Sequence, residues 1–146
     1  MSREVPWVKL VMLGVLAALV IAVVAIVRGG TAIPDEVQPI AWHHQACAHC
    51  GMLVAEPAHA AQLITADGDV LSYDDPGCAL RHLAERRPSI HRLWFHHGTE
   101  DRWLAADQVG FRTGATTPMG SGLIAVDRAP DTLDLAGATR VATEHR

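Results

Sequence analysis

From Leu10 to Val27 every residue is apolar or glycine, and this run limits the possible architecture more than any other feature of the chain. As a helix it would cover roughly 27 Å, close to the hydrocarbon thickness of a bilayer, and it reads as a membrane span. A cleaved signal peptide is the alternative, with Gly30-Thr31-Ala32 as small residues for a peptidase. A signal core is usually only about 7–15 residues long, and no cysteine follows at once to accept a lipid, so an uncleaved anchor is the preferred reading. Arg3, Lys9 and the amino terminus precede the span, and Arg28, Asp35 and Glu36 follow it. This weak asymmetry favours a cytoplasmic N-terminus and a single-pass protein of the cell membrane with its folded part extracytoplasmic. The expected division is 1–9 as a short cytoplasmic segment, 10–28 as the transmembrane anchor, 29–45 as a linker, and 46–146 as a metal-binding domain.

Of 146 residues, about 100 remain to fold in water, enough for one modest core. Beyond Arg28 there are nine arginines, no lysine and fifteen Asp or Glu, a balance of −6 with histidine neutral. No basic cluster is present to neutralise a phosphate backbone, which argues against nucleic acid as a partner. Neither G-x-S-x-G, H-E-x-x-H, a P-loop nor G-x-G-x-x-G after a strand occurs, so the common catalytic signatures are missing. The expectation is a non-enzymatic protein.

The chemistry concentrates in Cys47-Ala48-His49-Cys50-Gly51-Met52. Two thiols, an imidazole and a thioether within six residues suit a soft metal. C-x-x-C followed by glycine has the form of a metal knuckle, because glycine can take the left-handed turn that points backbone N–H groups at sulfur. Three cysteines are an odd count, poorly explained by a structural disulfide framework. Cys78 falls where a helix is expected to begin, as a ligand or as a small buried residue, and His82 follows one turn later. Met119, in Thr117-Pro118-Met119-Gly120-Ser121-Gly122, lies in a breaker-rich loop and not on an apolar helical face. Thiolates and thioethers together select Cu(I) over harder ions.

Two rival readings stay open. Cys47, Cys50, Cys78 and a histidine would complete a structural zinc site in a small interaction module. C-x-x-C is also the mark of thiol–disulfide oxidoreductases when it opens a helix, although Gly51 and Pro57 oppose such a helix here. His43 and His44 could add a nitrogen ligand, whereas His91, His96, His97 and His145 read as solvated or edge positions. Asp74 and Asp75 precede Pro76 and read as helix caps.

The surrounding sequence has α+β patterning. Ala60 to Ala66 and Val70 to Tyr73 flank Asp67-Gly68-Asp69, a strong hairpin signal. A helix is expected from Pro76 to Arg87 and a strand from Ile90 to Phe95. Strands at Val109 to Arg112 and Gly122 to Asp127, a helical piece near Asp131 to Ala136, and a last strand at Thr139 to Thr143 would repeat the order strand, strand, helix, strand. The fold class expected is α+β, two related ββαβ units in one small domain behind the N-terminal transmembrane helix.

Taken in order, Cys47 to Met52, Ala61-Gln62, Asp67-Gly68, Tyr73-Asp74-Asp75 with Cys78, Trp103-Leu104, and Pro118 to Leu123 resemble the NosL family, accessory proteins of nitrous oxide reductase maturation. The resemblance spans roughly residues 46 to 142. It implies two related ββαβ units akin to part of the organomercurial lyases, and an extracytoplasmic Cu(I) chaperone whose client is a copper enzyme, nitrous oxide reductase, together with its maturation machinery. Carried over, the metal positions are Cys50, Met52 and Met119, with Cys47 and Cys78 as further members. Family members are often held by an N-terminal lipidated cysteine. This chain has none at that place, which leaves room for a divergent paralogue serving another copper protein.

Overall fold

In the computed structural model the described residues are 6–29 and 32–144, in two compact units, Met1–Ala32 and Ile33–Arg146. Arg3, Gly30, Thr31 and His145, weighed above, lie outside the described residues. The first unit is helix α1, Pro6–Gly29. Its stretch Trp7–Ile26 has mean hydropathy 2.8 and the length to cross a membrane, with no side chain buried by protein. A helix apolar on all sides hides its surface in lipid or in the core of a larger protein, not against water, and an anchor and a signal sequence both have this form.

In the second unit the α+β class holds. Strands β1 (Ala61–Thr65) and β2 (Val70–Tyr73), helix α2 (Pro76–Arg86) and strand β3 (Ile90–His96) follow in the expected ββαβ order. The β1–β2 turn closes through Gly68 N–H to the Thr65 carbonyl at 3.0 Å, with Gly68 at φ +92°, a conformation that favours glycine. Asp75 caps α2 by accepting from Gly77 N–H at 2.6 Å, Pro76 opens the helix, and Arg87 ends it in the left-handed conformation at φ 49°. Strand β4 (Trp103–Ala105) extends the antiparallel sheet to the order β2-β1-β3-β4. Every residue of β1 is buried. Gln62, the second residue of the strand, is satisfied by the Gln38 backbone on both sides, at 2.7 and 3.0 Å, and by Ser72 at 3.3 Å. Residues 33–45, read above as part of the 29–45 linker, belong to the second compact unit, where Ile40 and Trp42 also pack on the core.

The second half is a hairpin of β5 (Val109–Arg112) and β6 (Ile124–Asp127) followed by α3 (Leu135–Glu144). The expected closing strand at Thr139 to Thr143 is helical. Asp134 accepts from Gly137 N–H at 2.7 Å, shifting the helix start beyond Asp131. Thr139 and Thr143 turn their hydroxyls onto the carbonyls four residues back, at 2.7 and 2.9 Å, so these β-branched residues are accommodated in the helix. Arg81 of α2 donates to the Ala142 carbonyl at 3.2 Å, joining the helices. The two sheets meet where Phe95 and Phe111 stack edge to face, centroids 5.0 Å apart.

Candidate metal centre

The cysteine loop is a small hairpin. Cys47 N–H donates to the Met52 carbonyl at 2.7 Å and Gly51 N–H to the Cys47 carbonyl at 3.0 Å, with Gly51 at φ +78°. Flanking it, Ala46 and Leu53 form a bridge, and Ala48 N–H reaches the Ser72 carbonyl of β2 at 2.9 Å. That last bond lays the loop over the end of β2, beside the start of α2. Cys50 is followed by this turn and not by a helix, so the thioredoxin-like arrangement is not formed.

The consequence is a cluster. One ligand atom each from Cys47, Cys50, Asp74 and Cys78 lies within 4.8 Å of every other, and all three cysteines are free thiols. Cys47 is 3 % exposed, Cys78 fully buried and Cys50 half-buried. The cluster opens on the Cys50 side, where Met52 and Leu53 are each 53 % exposed.

Each sulfur is held by identifiable donors. Cys47 is pushed down to about 4, chiefly by the neighbouring Cys78 thiol, with burial opposing and the Asp74 side chain and the backbone N–H groups of Cys50 and Asp74 assisting. Cys78 moves far up for the reciprocal reason, while the Arg81 guanidinium, 3.8 Å away, pulls the other way. Cys50 is raised to about 11 by burial, against a hydrogen bond from Met52 N–H. The surroundings thus favour the thiolate at Cys47 and the protonated thiol at Cys50 and Cys78.

Asp74 is the member that the sequence reading assigned elsewhere. It is 2 % exposed, accepts from the Cys50 thiol at 3.4 Å, and is raised to about 6 by burial and then by Cys47. Its neighbour Asp75 does the capping and also accepts Met119 N–H at 3.1 Å. The Met119 loop is thereby tied to the same helix start that carries Cys78. Met119 is partly buried against the core. Met52 and Met119 thus have their backbones bonded at the centre's margins.

Around the cluster, His82 packs edge-on to Tyr73 at 5.5 Å and lies 6.4 Å from the His49 ring. Burial, then His49 and Arg86, lower its pKa. His43 and His44 are exposed. His96 and His97, expected at solvated or edge positions, are each only 5 % exposed.

In a second group, His97, Glu100 and Asp127, one ligand atom from each also lies within 4.8 Å of the others. Here His97 Nδ1 accepts from Thr99 and Glu100 N–H, at 3.2 and 3.1 Å. Neutral His97 therefore carries its hydrogen on Nε2, 4.0 Å from Asp127. Arg102 already binds both carboxylates, at 2.5 Å each. This group is an ion-pair cluster with its own resident cation.

No protein-family model matches the sequence, and no curated protein is similar to it in sequence. Among solved structures, the copper chaperone NosL from Shewanella denitrificans is similar in fold, with TM-score 0.57 and 19% sequence identity across 76% of this chain and 88% of that one. At that identity the likeness establishes a NosL-like fold.

Proposed function

We propose that this protein is a metal carrier, not an enzyme, that holds Cu(I) through Cys47, Cys50 and Cys78, with Met52 and Met119 as thioether ligands at the rim. The observation that carries the reading is the convergence of three free thiols within 4.8 Å on a fold shared with a solved copper chaperone. Cu(I) favours sulfur ligands, and a neutral thioether is displaced by an incoming thiolate more readily than another thiolate would be. Half-buried Cys50 and exposed Met52 provide an open side for such exchange. In this reading α1 anchors the protein in the cell membrane, residues 33–146 lie outside the cytoplasm, and the cargo passes to a copper enzyme. The client implied by the sequence resemblance is nitrous oxide reductase.

Asp74 supports one other reading, because three thiolates and a carboxylate form a four-ligand set that suits tetrahedral zinc. Reduced full-length protein in detergent, titrated anaerobically with Cu(I) against a competing chelator and separately with Zn(II), decides between them. The expected result is one tightly held Cu(I) with sulfur scatterers only in X-ray absorption, and weakened Cu(I) binding on Met52→Ala or Met119→Ala. Stoichiometric zinc in the purified protein, chelation that unfolds it, and indifference to both methionine substitutions would establish the zinc site instead. Copper content of nitrous oxide reductase in a deletion strain tests the client, and normal loading under copper limitation excludes it.

A further inference from the structure

Asp75 is fully buried, and each of its three oxygens accepts a backbone N–H. Its carbonyl accepts from Cys78 at 3.0 Å, Oδ1 from Gly77 at 2.6 Å, and Oδ2 from Met119, 44 residues away, at 3.1 Å. A helix cap needs one side-chain oxygen, which serine or asparagine supplies about as well as aspartate. Burying a carboxylate is costly, so the cap alone does not account for this one. The loop that carries Met119 is closed on itself: Thr117 accepts the Gly120 N–H on its carbonyl at 3.0 Å and the Gly122 N–H on its hydroxyl at 3.3 Å, and the Ala115 N–H reaches the Gly122 carbonyl at 3.1 Å. Its shape is therefore set locally, and its placement is set by what ties it to α2. Those ties are the Asp75 carboxylate and Ser121, which packs so closely on Gly77 that a Cβ there would collide with it.

We propose that Asp75 is a positioning residue of the metal site: by holding the backbones of Cys78 and Met119 together, it brings the Met119 thioether to the metal that the cysteines bind. The proposal rests on the reading of Cys78 and Met119 as ligands and deepens it. Cys78 belongs to α2 and Met119 to the loop between β5 and β6, so a site that uses both needs one group that fixes their separation. Hydrogen bonds from backbone N–H to a carboxylate are charge-assisted and stronger than neutral ones, and outer partners that orient metal ligands typically account for about 10–100-fold in affinity.

The test titrates full-length protein in detergent with Cu(I) against a competing chelator, comparing wild type, Asp75→Ser, Asp75→Ala, Met119→Ala and the double variant Asp75→Ser/Met119→Ala. Serine keeps an acceptor for the Gly77 N–H and drops the one for Met119. Asp75→Ser should therefore melt above Asp75→Ala, yet bind Cu(I) about tenfold more weakly than wild type. In the Met119→Ala background the same substitution should cost less than about twofold, because the thioether it positions is already gone. A residue needed only as a cap would show its full loss in both backgrounds. With isotope-labelled methionine methyl groups, the Met119 resonance, identified by its absence from Met119→Ala, should shift on Cu(I) addition in wild type and much less in Asp75→Ser. Asp75→Asn serves the same comparison if the serine variant does not fold, since its amide offers one oxygen to two N–H groups. Wild-type affinity in Asp75→Ser or Asp75→Asn, or an undiminished loss in the Met119→Ala background, overturns the proposal while wild-type binding upholds the carrier reading. Failure of wild type itself to bind Cu(I) removes the carrier reading, and unchanged affinity in Met119→Ala removes Met119 from the ligand set; either result overturns the role of Asp75 as well.

Discussion

Two groups of side chains among the described residues bring their ligand atoms within 4.8 Å of one another, and they differ in what already neutralises them. At His97, Glu100 and Asp127 the acidic groups are exposed and share Arg102. At Cys47, Cys50, Asp74 and Cys78 the donors are mostly buried, Arg81 lies at the edge of Cys78, and the surroundings favour the protonated thiol at Cys50 and Cys78. Proximity alone does not make a metal site. A cluster whose charge is already balanced has nothing to gain from an ion, whereas buried soft donors held apart only by protons can exchange those protons for metal.

The largest expected effect breaks the comparison at its centre. Cys47→Ser should reduce Cu(I) affinity by at least about 100-fold, and His97→Ala should leave affinity and stoichiometry unchanged, both read by chelator competition. Equal losses from the two substitutions would show that the clusters cooperate. Next comes Gly77→Ala. A Cβ there would collide with Ser121, at the contact between the start of α2 and the Met119 loop, and overpacking of this kind costs about 1–3 kcal/mol. Denaturant unfolding should show that loss, with weaker Cu(I) binding if the Met119 loop contributes to the site.

Asp74→Asn sharpens the electrostatic side. Burial raises the Asp74 carboxyl to about 6, above its unfolded value, so its favourable contribution is complete below the unfolded pKa and is lost as pH rises through 6. Above that point the buried carboxylate is a burden. Asn should therefore stabilise the metal-free protein by about 2 kcal/mol at pH 7 and by less near pH 4, as followed by thermal melts across pH. The smallest effect is expected from Arg102→Gln. Its partners are exposed, so the melting temperature should shift by no more than about 2 °C, with less effect in high salt. A larger, salt-insensitive shift would contradict the reading of that cluster as a surface ion-pair group.

Much of the first ββαβ unit was legible because its signals are local. Asp67-Gly68-Asp69 specifies a hairpin through glycine's positive φ, and Asp75-Pro76 specifies a helix start through a side-chain acceptor and a preset φ. The second half was less legible. Thr139, Val141 and Thr143 suit a strand by side-chain shape, but Asp134 starts a helix before them and packing against α2 retains it. Propensity lost to a cap and a tertiary contact.

The same division holds at the metal centre. Cys47, Cys50 and Gly51 announced a knuckle by spacing alone, since a turn of that length brings its two thiols together wherever it sits. Nothing in the sequence distinguished Asp74 from Asp75. The backbone at the β2–α2 junction turns one carboxylate toward the Cys50 thiol and the other toward Gly77 and Met119. The sequence by itself determined the apolar N-terminal helix, the hairpin, the cap and the soft-donor chemistry, all of which depend on neighbouring residues. Only the tertiary structure decided that Cys78 and Asp74 join Cys47 and Cys50, because that outcome depends on how a strand end, a helix start and a loop pack, and so on which groups lose contact with water together.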